Sequence, residues 1–188
     1  MGVMTAVEAT GRFTRADFEA LPDDERWRYE LLDGAFVVTP SPTPSHQRAM
    51  QRIFLLLQAA VPSGLEVFVA PLDVHLRTGD ILEGDVLVID SRVIIDDKVE
   101  GAPLLAVEVI APSSRRRDVG DKLTAYRDAG VPSYWVFDPV SPRLRAWRLE
   151  GGEYVGIADV AADEVWTSDA PYAVTVRPAD LIRPAPRR

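Results

Sequence analysis

Short apolar runs recur along the chain, separated by turn-forming pairs, and this pattern predicts many short strands. Runs rich in Val, Ile, Leu and aromatic residues are typical of strands, and Asp-Gly or Gly-Gly between two such runs favours a hairpin. Asp33-Gly34 and Gly151-Gly152 are two such pairs. The predicted strands cover residues 27–32, 35–39, 65–70, 73–77, 85–90, 104–110, 134–138, 143–149 and 154–158, with more short β structure after residue 163.

Two longer segments have the spacing of helices. Residues 45–60 follow a proline-rich loop and are apolar over their second half, so we expect a largely buried helix. Residues 118–129 end at Gly130-Val131-Pro132, a typical helix stop. A shorter helix is predicted at 14–25, with Thr14 or Asp17 as its N-cap. Hairpins and helices in this order predict an α/β fold with a sheet of mixed direction.

The domain prediction is simple, because no internal repeat or low-complexity tract divides the chain. We expect a loose leader at 1–12, one domain at 13–182 and a tail at 183–188. The sequence has no long apolar run and no signal-like N-terminus, which predicts a cytoplasmic protein without membrane contact.

Composition excludes several kinds of site. The chain has no cysteine, which excludes disulfide scaffolds, thiolate zinc sites, iron–sulfur clusters and cysteine nucleophiles. The net charge of −8 argues against tight binding of nucleic acid without a metal, because neutralisation of phosphates supplies most non-specific affinity.

Two carboxylates occur where apolar residues are expected. Glu108 lies inside the apolar run 104–110, where a carboxylate is costly unless it forms a salt bridge or binds a cation. Asp85 heads another apolar strand. Two carboxylates on neighbouring strands, in a chain with no Cys and only two His, indicate a hard cation held by oxygen ligands. Mg²⁺ fits such ligands best.

Two other side chains are candidates for the same place. Lys122 lies about one turn into the helix that follows the Glu108 strand, so it can face back toward Glu108; the alternative is a surface pair with Asp118. His46 opens the helix after the proline-rich loop, where it could contact Glu30 or a phosphate, or make only a polar contact at the helix start.

A run of three arginines follows the Glu108 strand. Arg115, Arg116 and Arg117 form either a solvated loop or a patch that contacts phosphates, which suit the guanidinium geometry. On the strand at 73–77, Asp73 and His75 share a face with Arg77 and are either structural or part of the cleft edge, and the structural interpretation is favoured.

Several short motifs occur in a fixed order across most of the chain. They are YELLDG at 29–34, Pro42 with SHQ at 45–47, APLDV at 70–74, DVLV at 85–88, VEVIAPSS at 107–114, DKLTAY at 121–126, AGVPSYWV at 129–136 and DP at 138–139. Over about residues 17–181 this set resembles the Uma-two family of endonucleases, which belong to the restriction-endonuclease-like PD-(D/E)XK superfamily. The resemblance implies a mixed β-sheet core flanked by helices, with additional β-hairpins.

The resemblance also assigns residues to the family motifs. Asp85 matches the Asp of the PD element, Glu108 the acidic residue of (D/E)XK, and Glu30 an acidic residue of the N-terminal element. Gly84 stands where the family usually has proline. Ile110 occupies the usual lysine position, so Lys122 resembles the migrated lysine of some superfamily members.

A metal-dependent endonuclease acting on nucleic acid, DNA above all, is the function that the resemblance implies. Asp85, Glu108 and the backbone carbonyl of Val109 would hold Mg²⁺, with Mn²⁺ as a substitute, to activate the attacking water. Lys122 would orient that water or offset transition-state charge, and Glu30 would serve a second metal or the water shell of the first. Bound cations would also invert the local negative charge.

Two alternatives from other functional classes stay open. A catalytically silent binding or dimerisation module could keep the nuclease fold, and hairpin edges within 134–154 could pair two chains in a homodimer. A small-molecule hydrolase that uses Glu30 and Glu108 as an acid–base pair ranks last, because no Ser or Cys nucleophile motif accompanies them.

Overall fold

A six-stranded mixed sheet forms the centre of the molecule. The computed structural model describes residues 8–9, 12–21, 28–39, 41–111 and 117–183 of the 188-residue chain. In spatial order the strands of the central sheet are β13 (Glu153–Ala161), β12 (Arg143–Glu150), β11 (Ser133–Asp138), β10 (Leu105–Val109), β7 (Val86–Asp90) and β4 (Leu65–Val69). Only β10 and β11 are parallel, and the other neighbours are antiparallel. The predicted sheet of mixed direction is therefore confirmed.

A second sheet of seven short strands packs beside the central one. In spatial order it contains β1 (Glu8–Ala9), β3 (Ala35–Thr39), β2 (Arg28–Leu32), β6 (Ile81–Leu82), β5 (Val74–His75), β9 (Lys98–Glu100) and β8 (Ile94–Ile95). β2 and β3 form the predicted hairpin, whose turn residues Asp33 and Gly34 have φ of 48° and 71°. Positive φ at both positions matches the twist of a two-residue hairpin turn.

The remaining elements cover the sheets. They are α1 (Arg15–Glu19), α2 (Pro44–Gln58), a π-helical turn (Arg117–Asp121) that leads into α3 (Lys122–Asp128), α4 (Pro178–Leu181), a 3₁₀ turn (Ser91–Val93), and the hairpin of β14 (Trp166–Ser168) and β15 (Val174–Val176). Among the described residues, no helix has the length and apolar character needed to cross a membrane.

Each face of the central sheet has its own apolar core, because side chains alternate along a strand. On one face, Val86 and Val107 pack against α2. On the other, Leu87 and Ala106 pack against α3 and the second sheet. Glu108 follows the alternation of Ala106, so it points to the side of the second sheet and α3.

The ends of several elements lie close together where β10 ends and β7 begins. β10 and β7 are antiparallel with Val107 opposite Val86, so the start of β7 lies beside the end of β10. α3 begins near this point, as does α2, with His46 reaching Asp85 just before β7. This topology places residues from distant parts of the sequence at a single location.

The sequence-based boundaries differ from the structure mainly in short elements. The predicted helix at 14–25 is observed as α1, with Thr14 as N-cap and Asp17 completing a capping box, while residues 22–25 lie outside the described residues. The strand predicted at 73–77 is only Val74–His75. Glu8–Ala9 of the expected loose leader pair with β3; most other leader residues lie outside the described part, as does 184–188 of the tail.

Gly84 is required by the packing at the start of β7. A Cβ at this position would lie 2.5 Å from Leu87 Cδ2 and 3.1 Å from the Tyr126 hydroxyl. Leu87 and Tyr126 are both fully buried, so neither side chain has room to move. We expect Gly84→Ala to lower the free energy of unfolding by about 1–3 kcal/mol in urea titrations, as overpacked cores do.

The matched control is Gly156→Ala on the edge strand β13. Its added Cβ would lie 3.9 Å from the nearest Trp147 atom, an ordinary contact. A Gly84→Ala protein as stable as the Gly156→Ala protein would contradict the packing argument.

Candidate active site

Five ionisable side chains from separate elements lie near the end of β10 and the start of β7. Glu30 comes from β2, Asp85 directly precedes β7, Glu108 lies on β10, Lys122 begins α3 and His46 lies on α2. All five are buried; Glu30, Glu108 and Lys122 expose only 3%, 3% and 4% of their surfaces. Charged groups are rarely buried to this extent unless they are paired.

The ammonium of Lys122 lies between two carboxylates. Its Nζ is 2.7 Å from Glu30 Oε1 and 3.0 Å from Glu108 Oε1. It also donates to the backbone carbonyl of Glu83 at 3.0 Å. Three acceptors at these distances match the three N–H donors of an ammonium. Lys122 is therefore buried, which contradicts the solvated surface position that the alternative required; the side chain of Asp118 lies outside the described residues.

Glu30 connects the second sheet to the segment before β7. Its Oε1 accepts the backbone N–H of Glu83 at 2.8 Å, next to its contact with Lys122. The carboxylate thus fixes both the lysine and the peptide that leads into Gly84 and Asp85. Glu108 forms the salt bridge that its buried position requires, and Lys122 is its partner.

Asp85 connects three elements through one carboxylate oxygen. Its Oδ2 accepts the backbone N–H of Val109 at 2.8 Å and lies 3.2 Å from His46 Nε2. The carboxylate is thereby held against the end of β10, next to Glu108. His46 thus contacts Asp85; from the sequence, Glu30, a phosphate and a polar contact at the helix start were all open for this side chain.

Two contributors to this cluster were missed by the sequence analysis. Tyr126, one helical turn after Lys122, is fully buried, and its hydroxyl has no hydrogen-bond partner in the described part of the chain. Burial and the nearby charge of Glu108 raise the pKa of Tyr126 well above its usual range. The spacing of four from Lys122 was the available signal. The other is Glu83, whose backbone N–H and carbonyl contact Glu30 and Lys122. Backbone contacts of this kind do not depend on the side chain, so the sequence contains no signal for them.

Of the three arginines that follow the Glu108 strand, only Arg117 is described. Arg115 and Arg116 lie outside the described residues. Arg117 lines a cavity of about 800 Å³ between α1, the β2–β3 hairpin and α3. The acidic residues lining the same cavity are Asp33, Asp80, Asp121 and Asp128. The surroundings of Arg117 are therefore not the basic patch that the sequence suggested.

The chemistry of the donor set suits a divalent cation. Three buried carboxylates face one ammonium, which leaves an excess of negative charge when His46 is neutral. Asp85 and Glu108, together with the carbonyl of Val109, offer the oxygen ligands that Mg²⁺ prefers. Among the described residues, no group of three or more acidic or histidine side chains forms a metal site by itself. A backbone carbonyl and waters would complete the coordination.

Comparison with known proteins identifies the family. A family model, Uma2, described as "Putative restriction endonuclease", matches residues 15–177. This chain belongs to the Uma2 family. The crystal structure of "a putative nuclease belonging to DUF820 from Anabaena variabilis ATCC 29413" has a TM-score of 0.76 to it, with 18% sequence identity, covering 90% of this chain and 97% of that chain. No curated protein sequence matches this chain significantly.

The family and the fold agree with the motif-based resemblance. Membership of Uma2 confirms the family inferred from the ordered motifs, and the structural likeness confirms the restriction-endonuclease-like α/β fold. In this Uma2 protein the usual lysine position holds Ile110, which is buried in the apolar core beside α3. The ammonium of Lys122, from the start of α3, lies 3.0 Å from Glu108 Oε1 on the same strand.

The charge of Lys122 is expected to stabilise this Uma2 protein. Lys122→Met leaves Glu30 and Glu108 buried without a compensating charge, so the free energy of unfolding should fall by about 3–5 kcal/mol. Adding Glu30→Gln should restore part of the loss, because one buried negative charge is removed. Urea unfolding measures both effects. The matched control is Lys98→Met on the exposed end of β9, which should change stability by less than about 0.5 kcal/mol. Equal stabilities of the two lysine variants would contradict the buried ion-pair assignment.

The partly buried carboxyl of Asp73 is expected to lower the stability of the Uma2 protein as pH rises. Burial raises the pKa of Asp73, and the charge of Glu30 adds to this, whereas His75 and a hydrogen bond with Glu83 oppose it. Between the ordinary pKa of 3.8 and the raised pKa, the native state therefore holds a proton that the unfolded chain has already lost. The free energy of unfolding falls as pH rises through this range. We expect Asp73→Asn to stabilise the protein near neutral pH and to give no gain below the ordinary pKa of 3.8.

Urea unfolding of Asp73→Asn at several pH values measures this difference. Asp97→Asn serves as the control, because Asp97 is exposed and its left-handed backbone (φ 63°) suits asparagine equally well. A stability gain for Asp73→Asn that is the same at all pH values would rule out the proposed cause.

Proposed function

We propose that this chain is a metal-dependent endonuclease that hydrolyses phosphodiester bonds in nucleic acid, with DNA as the expected substrate. The observation that carries the proposal is the buried cluster of Glu30, Asp85, Glu108 and Lys122 near the end of β10 and the start of β7. Family membership and the nuclease-like fold support it.

Asp85 and Glu108, with the carbonyl of Val109, are the residues that would hold Mg²⁺ or Mn²⁺. When bound, the cation supplies Lewis-acid activation of the phosphodiester and of the attacking water. Asp85 is oriented for this task by the Val109 N–H and by His46, so its carboxylate is fixed before a ligand arrives. Preorganisation of this kind lowers the cost of reaching the transition state.

Lys122 would place its positive charge next to the reacting phosphate. There it would orient the attacking water or offset the charge that develops on the phosphate oxygens. Glu30 and the Glu83 carbonyl also hold the ammonium, at 2.7 Å and 3.0 Å. The geometry favours Glu30 as a positioning residue for Lys122, in place of the role at a second metal considered from the sequence.

One observation favours a second candidate, a silent binding module that keeps the fold. Lys122 already pairs with both Glu30 and Glu108, so the cluster is partly neutralised without a cation. Such a module would bind neither Mg²⁺ nor Mn²⁺ at this site. Dimerisation through residues 134–154 would have to use β13, which is the edge strand of the central sheet. Tyr134 lies on β11, an internal strand whose two sides are already paired.

Cleavage of plasmid and single-stranded DNA tests the endonuclease proposal. With Mg²⁺ or Mn²⁺ the wild-type chain should cleave, and Asp85→Asn and Glu108→Gln should each lose about 100-fold or more of that rate, because each removes a proposed metal ligand. Asp169→Asn, on an exposed loop with its side chain 78% accessible, is the matched control and should keep the activity.

Calorimetric titration with Mn²⁺ separates the two candidates. Affinity that is lost in both Asp85→Asn and Glu108→Gln supports the endonuclease. A wild-type chain that neither binds the cation nor cleaves any nucleic acid would overturn the proposal in favour of the silent module.

A further inference from the structure

The outer face of α2 carries a groove that the proposed cluster does not use. His46, Ala49, Met50, Ile53 and Leu57 of this helix point inward and are buried. The opposite face, together with Arg183 after α4, lines a groove of about 540 Å³. Its lining residues are Pro44, Gln47, Arg48, Gln51, Arg52, Leu55 and Arg183. The lining therefore contains three arginines and no acidic residue.

The charge of this groove is unusual for so acidic a chain. Many of the described arginines form ion pairs with a carboxylate; these are Arg15, Arg92, Arg127, Arg143, Arg148, Arg177 and Arg183. Arg48 and Arg52 have no such partner among the described residues, and α2 itself contains no Asp or Glu. Two adjacent guanidinium groups therefore remain available in a protein whose net charge is −8.

The first turn of α2 contributes one residue to the candidate active site and others to the groove. His46, whose Nε2 lies 3.2 Å from Asp85 Oδ2, directly precedes Gln47 on the first turn of α2. Arg48 and Arg52 then follow one turn apart, about 6 Å along the helix axis. Guanidinium groups bind phosphate oxygens through paired N–H donors, and the amides of Gln47 and Gln51 add further donors between them.

We propose that one strand of the nucleic-acid substrate runs along this α2 groove as it leaves the active site, with Arg48 and Arg52 on its backbone phosphates. The assignment rests on the proposed function and adds the path of the substrate. The cavity beside Arg117 is the competing path, but its acidic lining would repel phosphates. Contacts to phosphates carry no sequence information, so the groove would bind strands of any sequence.

Binding of fluorescently labelled single-stranded DNA, with Ca²⁺ in place of Mg²⁺, tests the groove. The test variant is Arg48→Ala with Arg52→Ala. The matched control is Arg92→Ala with Arg148→Ala, which removes the same charge near the opposite ends of the central strands, after β7 and beside the start of β11. Loss of two phosphate contacts should weaken binding roughly 25-fold at about 0.1 M salt and reduce the slope of log K against log salt by about 1.4. The control pair should change affinity by less than about threefold.

The outcomes separate this inference from the proposed function. DNA that binds and is cleaved by the wild-type chain, with equal affinity for the test and control variants, would overturn the groove and leave the nuclease standing. Absence of both binding and cleavage in the wild-type chain would overturn both. Arg48→Lys with Arg52→Lys keeps the charge and should retain most of the affinity, which excludes a misfolded alanine variant as the cause of a loss.

Cross-linking provides a second measurement, because the chain has no cysteine of its own. Gln51→Cys places a single thiol in the α2 groove, and Thr124→Cys places one in the acidic cavity beside Arg117. DNA whose backbone carries a thiol activated as a pyridyl disulfide should exchange with the thiol of the first variant, releasing pyridine-2-thione, and not with that of the second. Preferential capture by Thr124→Cys would show that the strand takes the other path.

Discussion

The buried ammonium of Lys122 is the interaction on which the rest of this structure depends. It joins Glu30 of the second sheet to Glu108 of the central sheet, and its third contact fixes the peptide that leads into Asp85. A buried ion pair adds little net stability relative to apolar packing, because desolvation offsets the Coulomb attraction. Its effect here is positional, since two sheets and α3 must meet in one arrangement to satisfy it.

Much of the fold and of the site could be predicted from the sequence. Asp85 and Glu108 stood out because apolar neighbours make a carboxylate costly, and the ordered motifs indicated the family. The strands β6 and β8 were missed because two residues carry no readable alternation. Tyr126 resembles an ordinary core residue apart from its spacing of four from Lys122, and Glu83 acts through its backbone, so neither stands out in the sequence as Asp85 and Glu108 do. The packing of Leu87 and Tyr126 explains why Gly84 replaces the usual proline, since any Cβ there would collide with them.

The net charge of −8 does not by itself exclude binding of nucleic acid, because the charge is unevenly distributed. Acidic residues occupy the buried cluster, the cavity beside Arg117 and much of the rest of the chain, whereas the outer face of α2 has none. A chain can therefore repel nucleic acid over most of its surface and still accept it along one path. Repulsion elsewhere would limit unproductive binding, and affinity would depend strongly on salt and on bound cations.

The order of the elements along the chain has a consequence for when the site can exist. Glu30 comes early, Asp85 and Glu108 follow at intervals, and Lys122 arrives only with α3, while β11 must still join β10 to complete the central sheet. Contacts between such distant segments form late in folding, because closing the intervening loops costs entropy that only the finished core repays. No early part of the chain contains a working subset of the cluster. Any catalytic power would thus require β2, α2, β7, β10 and α3 to be docked together, because each of them positions a residue of the cluster.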